Sequence, residues 1–145
     1  MRVLCTATAG STAAPAAFFS RWADMATWPE WDGAVAWCRL DGPFAAGTTG
    51  VLKPRGGPRI RFVIETLESG TGLTDVSSMP GATLRISHRA AVGPDGRTTV
   101  DVEVSVDGPL ARPWGRLLGR RIARSTPDGL RKLVAVVEAD TDAAR

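Results

Sequence analysis

The sequence lacks tyrosine and contains only one histidine, two cysteines and two lysines among its 145 residues. The absence of tyrosine leaves no phenol hydroxyl for proton transfer. A single histidine, His88, does not support a zinc site built from imidazoles. Cys5 and Cys38 are too few for a disulfide scaffold and lie in no CxxC motif. We therefore expect no metal, no cofactor, and free thiols in a reducing cytoplasm.

Long apolar runs are also missing, because no stretch approaches the roughly 18 residues that cross a bilayer. At the N-terminus Thr6 and Thr8 interrupt a short apolar run, which favours a first strand over a signal peptide. Hydrophobic residues make up 43% and charged residues 23% of the chain, a composition that supports one folded domain over residues 1–145. The net charge of +3 comes almost entirely from arginine, which indicates a GC-rich, bacterial genome.

Tryptophan is concentrated in one stretch. Four of the five tryptophans are Trp22, Trp28, Trp31 and Trp37, and each can bury roughly 150–250 Å². Such a group favours one end of a core or the wall of a pocket. Pro29 disfavours helix at Trp28, so we expect a helix to end near there and a strand to follow.

Apolar periodicity predicts a mixed architecture. Residues 14–27 have helical spacing, with Thr12 as the expected cap and Pro15 in the first turn. Alternation predicts seven strands, at residues 2–9, 34–40, 48–53, 59–67, 73–79, 82–92 and 98–106. In the second strand, alternation puts Val35, Trp37 and Arg39 on one face. Short turns between the strands predict an antiparallel sheet.

A long helix is predicted over residues 110–139, with Pro127 producing a kink and Thr126 capping its second half. Its first half has an apolar face that consists of Leu110, Trp114, Leu117, Leu118 and Ile122. Residues 140–145 are polar, and we expect a frayed tail there. A curved sheet around such a helix leaves an internal cavity between them.

Four local sequences, in this order, resemble the SRPBCC superfamily of START-like and Bet v 1-like helix-grip proteins, which includes the polyketide cyclase/dehydrase and lipid-transport group. The first helix ends in Trp-Pro-Glu-Trp-Asp at residues 28–32, similar to a W-P-x-W turn. Residues 47–54 read Gly-Thr-Thr-Gly-Val-Leu-Lys-Pro, similar to a G-x-x-G-x-L-x-P strand. Residues 79–88 resemble a hairpin that often keeps a histidine, and the last helix carries a proline.

The resemblance implies an α+β helix-grip fold, in which about seven antiparallel strands curve around a Pro-kinked C-terminal helix, with one or two short helices after the first strand. It implies binding or transport of a small lipid-, polyketide- or aromatic-like molecule in the internal cavity. A second possibility is a polyketide aromatase/cyclase-like enzyme that uses His88 for acid–base chemistry. The superfamily has no universal catalytic residues to transfer, and its fold hosts several functions.

His88 shares its side of the strand with Leu84, Ile86 and Ala90, and imidazole titrates near neutral pH. It is interpreted either as a hydrogen-bonded residue of the cavity wall or as a base on an enolisable ligand. Asp75 lies on the neighbouring strand. The alternation there leaves open whether Asp75 faces the cavity beside His88 or faces water.

Arginine recurs every four residues at positions 112, 116, 120 and 124 and forms a stripe along the last helix. The stripe is either a solvated outer face or a surface for an anionic membrane or a partner. Few aromatic residues lie among the arginines, so we predict no nucleic-acid binding. Arg121 falls beside the apolar face and is expected either at the cavity rim or against an anionic group.

The predicted ligand-binding wall combines the aromatic, aliphatic and polar side chains expected to face the cavity. Its members are Phe19, Trp31, Trp37, Phe62, Ile64, Ile86, His88, Val102, Trp114, Leu118 and Arg121. The expected partner is a small hydrophobic molecule, with no nucleic acid and no stable membrane insertion. Oligomeric state and ligand identity are left open.

Overall fold

A computed structural model describes residues 1–144 and shows a mixed α/β order. A 3₁₀ helix, Met25–Glu30, lies between the first α-helix and the second strand. The two α-helices and seven strands are β1 Arg2–Ser11, α1 Pro15–Ala23, β2 Val35–Leu40, β3 Thr49–Pro54, β4 Ile60–Glu68, β5 Gly72–Met79, β6 Ala82–Val92, β7 Thr98–Asp107 and α2 Ala111–Ala143. This order confirms the predicted helix-grip fold.

The strands form one antiparallel sheet in the order β1-β7-β6-β5-β4-β3-β2. All neighbours except β1 and β7 are consecutive in the chain, because short turns join them. β1 instead pairs with the last strand, from Arg2 opposite Val106 to Ser11 opposite Thr98. The curled sheet has a concave inner face, where alternate residues of each strand enter the core.

The predicted alternation in β2 is wrong, because the register shifts between Val35 and Trp37. The extra residue places both Val35 and Cys38 in the core. Trp37 is left half-buried with Arg39 on the outer face, where the guanidinium groups of Arg39 and Arg59 each lie 5.5 Å from its ring. These are cation–π contacts of a sheet surface.

The first helix is shorter than predicted and has a different start. Ala14 is its N-cap residue and makes no side-chain cap, while Pro15 occupies the first turn. Thr12, the predicted cap, lies two residues before Ala14 and contacts Glu138 instead. α1 ends at Ala23, and the chain continues as the 3₁₀ helix, which accommodates Pro29.

The last helix, α2, is continuous through Pro127 and packs on the inner side of β1 and β7. The helix extends to Ala143, so the prediction of a frayed tail is wrong for residues 140–143. Arg145 lies outside the described residues. The predicted apolar face is also rotated, since Leu117 is 70% exposed. Packing on β1 selects Ile122 as an inward side chain, and Leu118 is half-buried.

The core is continuous between the sheet, α1, the 3₁₀ helix and the second half of α2. Phe18, Trp22 and Ile64 are fully buried at its centre, with Leu133 and Val137 of α2 over them. No helix in residues 1–144 is long and apolar enough to cross a membrane.

Candidate functional site: a buried His–Asp pair beneath tryptophans

Two ionisable side chains meet on the concave face, where β5 pairs with β6. Leu73 lies opposite His88 and Asp75 lies opposite Ile86, so Asp75 and His88 are diagonal neighbours on the same face. His88 Nε2 lies 3.4 Å from Asp75 Oδ2, and both side chains are less than a tenth exposed. This register settles the orientation that alternation left open, because Asp75 faces inward.

Tryptophan rings enclose His88. The ring centroids of Trp22 and Trp28 lie 5.5 and 5.8 Å from that of the imidazole. Trp31 lies 5.4 Å from Trp28. The last turn of α1 carries Trp22, and Trp28 Nε1 donates a hydrogen bond to the Trp22 carbonyl at 3.2 Å. The tryptophan-rich stretch thus folds back as an apolar wall over the polar pair.

A second carboxyl group lies close to this site. Asp32 follows Trp31, and its Oδ1 accepts a hydrogen bond from the Ala34 amide at 3.0 Å. Burial raises the pKa of Asp32, although the Ala34 amide and the positive charges of His88 and Lys132 oppose that effect. Burial favours the neutral form of a carboxyl group.

The neighbouring thiol, that of Cys38, has low reactivity. Cys38 lies on the inner face of β2, and burial together with the charges of Asp75 and Asp32 raises its pKa to about 12. The nucleophilic form of cysteine is the thiolate, which is scarce when the pKa is so high. Cys38 is therefore a core residue, and within residues 1–144 no three His, Cys, Asp or Glu side chains are placed to hold a metal ion.

Several polar atoms of this region have no hydrogen-bond partner within residues 1–144. They are buried and comprise Trp22 Nε1, Trp31 Nε1, Asp75 Oδ2, and both ring nitrogens of His88. Unpartnered buried polar atoms are rare and cost free energy. Two buried indole donors thus have no hydrogen-bond acceptor, and the imidazole and carboxylate of the His88–Asp75 pair lie 3.4 Å apart without a well-aligned hydrogen bond.

The structure brings together part of the predicted ligand-binding wall. Five members lie on the inner face of the sheet, and these are Phe62, Ile64, Ile86, His88 and Val102. Trp31 is buried beside them in the core. Phe19 is half-buried and makes an edge contact with Phe44, at 5.4 Å between ring centroids.

The remaining members lie elsewhere. Trp37 is on the outer face of β2, because of the bulge. Arg121 is exposed on α2. Trp114 and Leu118 are half-buried on α2, and Trp114 Nε1 donates to the Pro80 carbonyl at 2.8 Å. Sequence reasoning did not assign Asp32, Trp22 or Trp28 to the site; the Trp-Pro-Glu-Trp-Asp motif was the available signal.

Two grooves on the surface of residues 1–144 are lined by residues away from the concave face. The larger, about 650 Å³, runs between α1, the 3₁₀ helix and the end of α2. Arg21 lies in it and forms a bidentate pair with Asp140, with nitrogen–oxygen distances of 2.6 and 2.9 Å. The smaller groove, about 270 Å³, lies beside Gly81 and Gly108. The predicted internal cavity corresponds to neither groove.

Fold and site together define a helix-grip α+β protein with a polar pair on its concave face. The chain belongs to the family described as polyketide cyclase/dehydrase and lipid transport, whose model matches residues 2–138. No curated protein matches the sequence.

Solved structures show the same fold at low sequence identity. The di-domain ARO/CYC StfQ from the steffimycin biosynthetic pathway aligns with a TM-score of 0.72 and 14% identity over 97% of this chain and 52% of StfQ. Protein SA2116 from Staphylococcus aureus gives 0.70 and 13%, covering 95% and 94%. Ara h 8.0201 gives 0.64 and 14%, covering 93% and 97%. Each similarity concerns the fold.

Proposed function

We propose that the protein binds a small, largely apolar molecule between the concave face of the sheet and α2, and that the His88–Asp75 pair holds a polar group of this molecule. The single observation that carries the proposal is the set of buried polar atoms of His88, Asp75, Trp22 and Trp31 that have no hydrogen-bond partner within residues 1–144. Two indole N–H groups can only donate, so the polar group of the ligand must accept hydrogen bonds, as a carbonyl or hydroxyl oxygen does.

The apolar part of the ligand has matching side chains nearby. α2 packs mainly on β1 and β7, whereas the 3₁₀ helix packs on β2 and α1 packs on β6. Half-buried apolar residues border the core: Leu40, Phe44, Leu52, Leu84 and Ile86. Apolar walls with a few convergent polar groups are typical of small-molecule sites. The family description, which includes lipid transport, supports the same class of ligand.

We also propose that the protein acts in a bacterial cytoplasm. Cys5 and Cys38 are both free thiols, as is usual in a reducing compartment. The arginine-rich composition supports a bacterial source.

The binding proposal is tested with two probes that differ by one hydroxyl group, naphthalene and 2-naphthol, followed by tryptophan fluorescence. We expect 2-naphthol to bind about 10-fold more tightly than naphthalene, because its oxygen reaches the polar pair. His88→Leu should remove this difference between the probes. Native mass spectrometry of protein from its own host should reveal an apolar, oxygen-containing ligand.

Ser87→Ala is the matched control, because Ser87 is adjacent in sequence but bonds Thr74 on the other face of the sheet. It should retain the preference for 2-naphthol. Equal affinity of the unmodified protein for both probes contradicts the proposed polar anchor. Near-ultraviolet circular dichroism verifies that each variant keeps its tryptophan packing.

Proton transfer at a carbonyl compound is a second candidate function, favoured by the contact between Asp75 Oδ2 and His88 Nε2. A carboxylate beside an imidazole orients the ring and stabilises its protonated form, as in many general bases. The family description names a polyketide cyclase/dehydrase, and a base that removes a proton next to a carbonyl group is a general way to start such condensations and eliminations.

This candidate is tested by hydrogen–deuterium exchange at the methyl group of 2-acetonaphthone, followed by NMR. An enzyme should accelerate exchange, and His88→Ala should lower the rate by about 100-fold while the ketone still binds. Asp75→Asn should also lower the rate, whereas Ser87→Ala should not. Binding without accelerated exchange identifies a carrier and rejects the enzyme.

A further inference from the structure

The first half of α2 carries an uncompensated positive charge. Residues 109–127 contain five arginines and no acidic residue. We call this surface the arginine face; its members are Arg112, Arg116, Arg120, Arg121 and Arg124, and all are exposed. The whole chain has a net charge of +3, so the face holds +5 and the remaining residues together hold −2. The positive charge is therefore concentrated on one side of one helix.

None of these five arginines has an acidic partner among residues 1–144, whereas four arginines elsewhere in the chain do. Within residues 1–144, Arg21, Arg61, Arg85 and Arg131 each lie within 4.0 Å of a carboxylate. No member of the arginine face makes such a pair with any described residue. Surface arginines that serve only solubility are commonly interspersed with acidic residues. This face instead presents a continuous positive field.

A large apolar side chain projects from the same surface. Leu117 is 70% exposed, and Arg120, Arg121 and Arg124 lie three, four and seven positions after it, on the same side of the helix. Leu110, two turns before Leu117, is 46% exposed. Leu117 therefore places an apolar side chain beside three guanidinium groups of the kind that bind phosphate.

We propose that the arginine face docks the protein peripherally on an anionic phospholipid membrane. Arginine guanidinium groups would contact lipid phosphates, while Leu117 enters the boundary between headgroups and acyl chains. Each basic residue near an anionic surface strengthens association by about fivefold. A single helix that carries basic residues around an exposed apolar side chain can lie in this interfacial plane.

The chemistry of the face favours a membrane over other anionic partners. A protein partner of ordinary interface size covers roughly 800 Å² around an apolar centre, whereas this helix offers one strongly exposed leucine. Single-stranded nucleic acid requires exposed aromatic rings for stacking, and Trp114, the aromatic residue of this segment, is half-buried with its indole N–H bonded to Pro80. A lipid surface needs neither a groove nor a stacking platform.

The proposal is tested by co-sedimentation of the full chain with vesicles. The vesicles contain phosphatidylcholine alone or with about 30 mol % phosphatidylserine, an anionic lipid. We expect binding only to the anionic vesicles, and release when NaCl is raised from about 0.05 M to about 0.5 M, because salt screens exposed charges. Absence of binding at the lower salt concentration overturns the proposal.

Three variants separate the arginine face from general charge effects. The double variant R120E/R124E should weaken binding by at least about 25-fold, and Leu117→Ser by about 10-fold. The control R55E/R89E makes the same change in net charge at exposed arginines outside α2 and should bind within about twofold of the unmodified protein. An equal loss in the control, or no effect of Leu117→Ser, contradicts membrane docking by this face. Tighter binding to a DNA duplex than to the vesicles also contradicts it.

Discussion

At the scale of single residues, the centre of the molecule carries two carboxyl groups and one imidazole in an environment built from tryptophan. Asp75 is held opposite Ile86 and beside His88 by the pairing of β5 with β6. Asp32 is held by a turn that follows the tryptophan-rich stretch and by the Ala34 amide. Two carboxyl groups that influence or contact one imidazole concentrate titratable groups in one region, which is typical of functional sites.

Asp32 should make the stability of the protein fall with rising pH. Burial raises its folded-state pKa above the ordinary value of 3.8, so between these two values the folded protein retains a proton that the unfolded chain has released. Stability therefore decreases as pH rises through this window. Asp32→Asn retains an oxygen for the Ala34 amide and removes the titration.

The check is urea unfolding of both proteins at pH 4 and pH 7. The free energy of unfolding of Asp32→Asn, minus that of the unmodified protein, should become more positive between these pH values. Comparison at each pH cancels the opposing contributions of Glu138 and Asp140, whose pKa values are lowered by hydrogen bonds from Ser11 and Arg21. A constant difference contradicts the raised pKa of Asp32.

The register and the bulges of the sheet determine which side chains face the core, and alternation alone did not predict this for every strand. Alternation and turn residues predicted every strand to within a few residues, because hairpin strands are specified locally. The bulge in β2 depends on how Val35 and Trp37 pair with β3, and that contact is not encoded in β2. Alternation also could not assign Asp75 to the inner or the outer face, because both faces of β5 carry polar residues. The rotation of α2, which exposes Leu117 and Arg121, follows from packing on β1.

Two glycines should respond oppositely to alanine substitution. Gly119 lies inside α2 with open space where a Cβ atom would project, so Gly119→Ala should raise the free energy of unfolding by about 1 kcal/mol through helix propensity. Gly50 lies on the inner face of β3, where a Cβ atom would overlap the Arg39 carbonyl and the Phe62 ring. Gly50→Ala should lower the free energy of unfolding by about 1–3 kcal/mol.

Urea unfolding of both glycine variants at a single pH measures these changes. A destabilised Gly119→Ala indicates that the backbone near the middle of α2 requires glycine. An unchanged Gly50→Ala indicates that β2 and β4 are not packed as closely on β3 as described. Because the two substitutions add the same methyl group, their opposite signs reflect the local environment alone.

At the scale of the whole molecule, α2 separates two chemically different surfaces. Its inner side covers the part of the sheet beside β1 and β7, next to the apolar core. The outer side of its first half carries the arginine face and Leu117.

The fold and the inward position of His88 were predictable from periodicity and motif order. The ligand was not, because one fold supports many binding sites and specificity resides in a few contacts.

The pairing of β1 with β7 has a consequence for the time at which the chain can fold during synthesis. β1 ends at Ser11 and its partner begins at Thr98, so translation at ordinary rates leaves β1 unpaired for roughly 5–20 s. The Ser11 hydroxyl donates a hydrogen bond to the Glu138 carboxylate at 2.7 Å. This bond also cannot form until α2 has been synthesised. The hairpins between β2 and β7 can form as they leave the ribosome. The native core, by contrast, closes only after α2 has emerged, because Leu133 and Val137 of this helix belong to it.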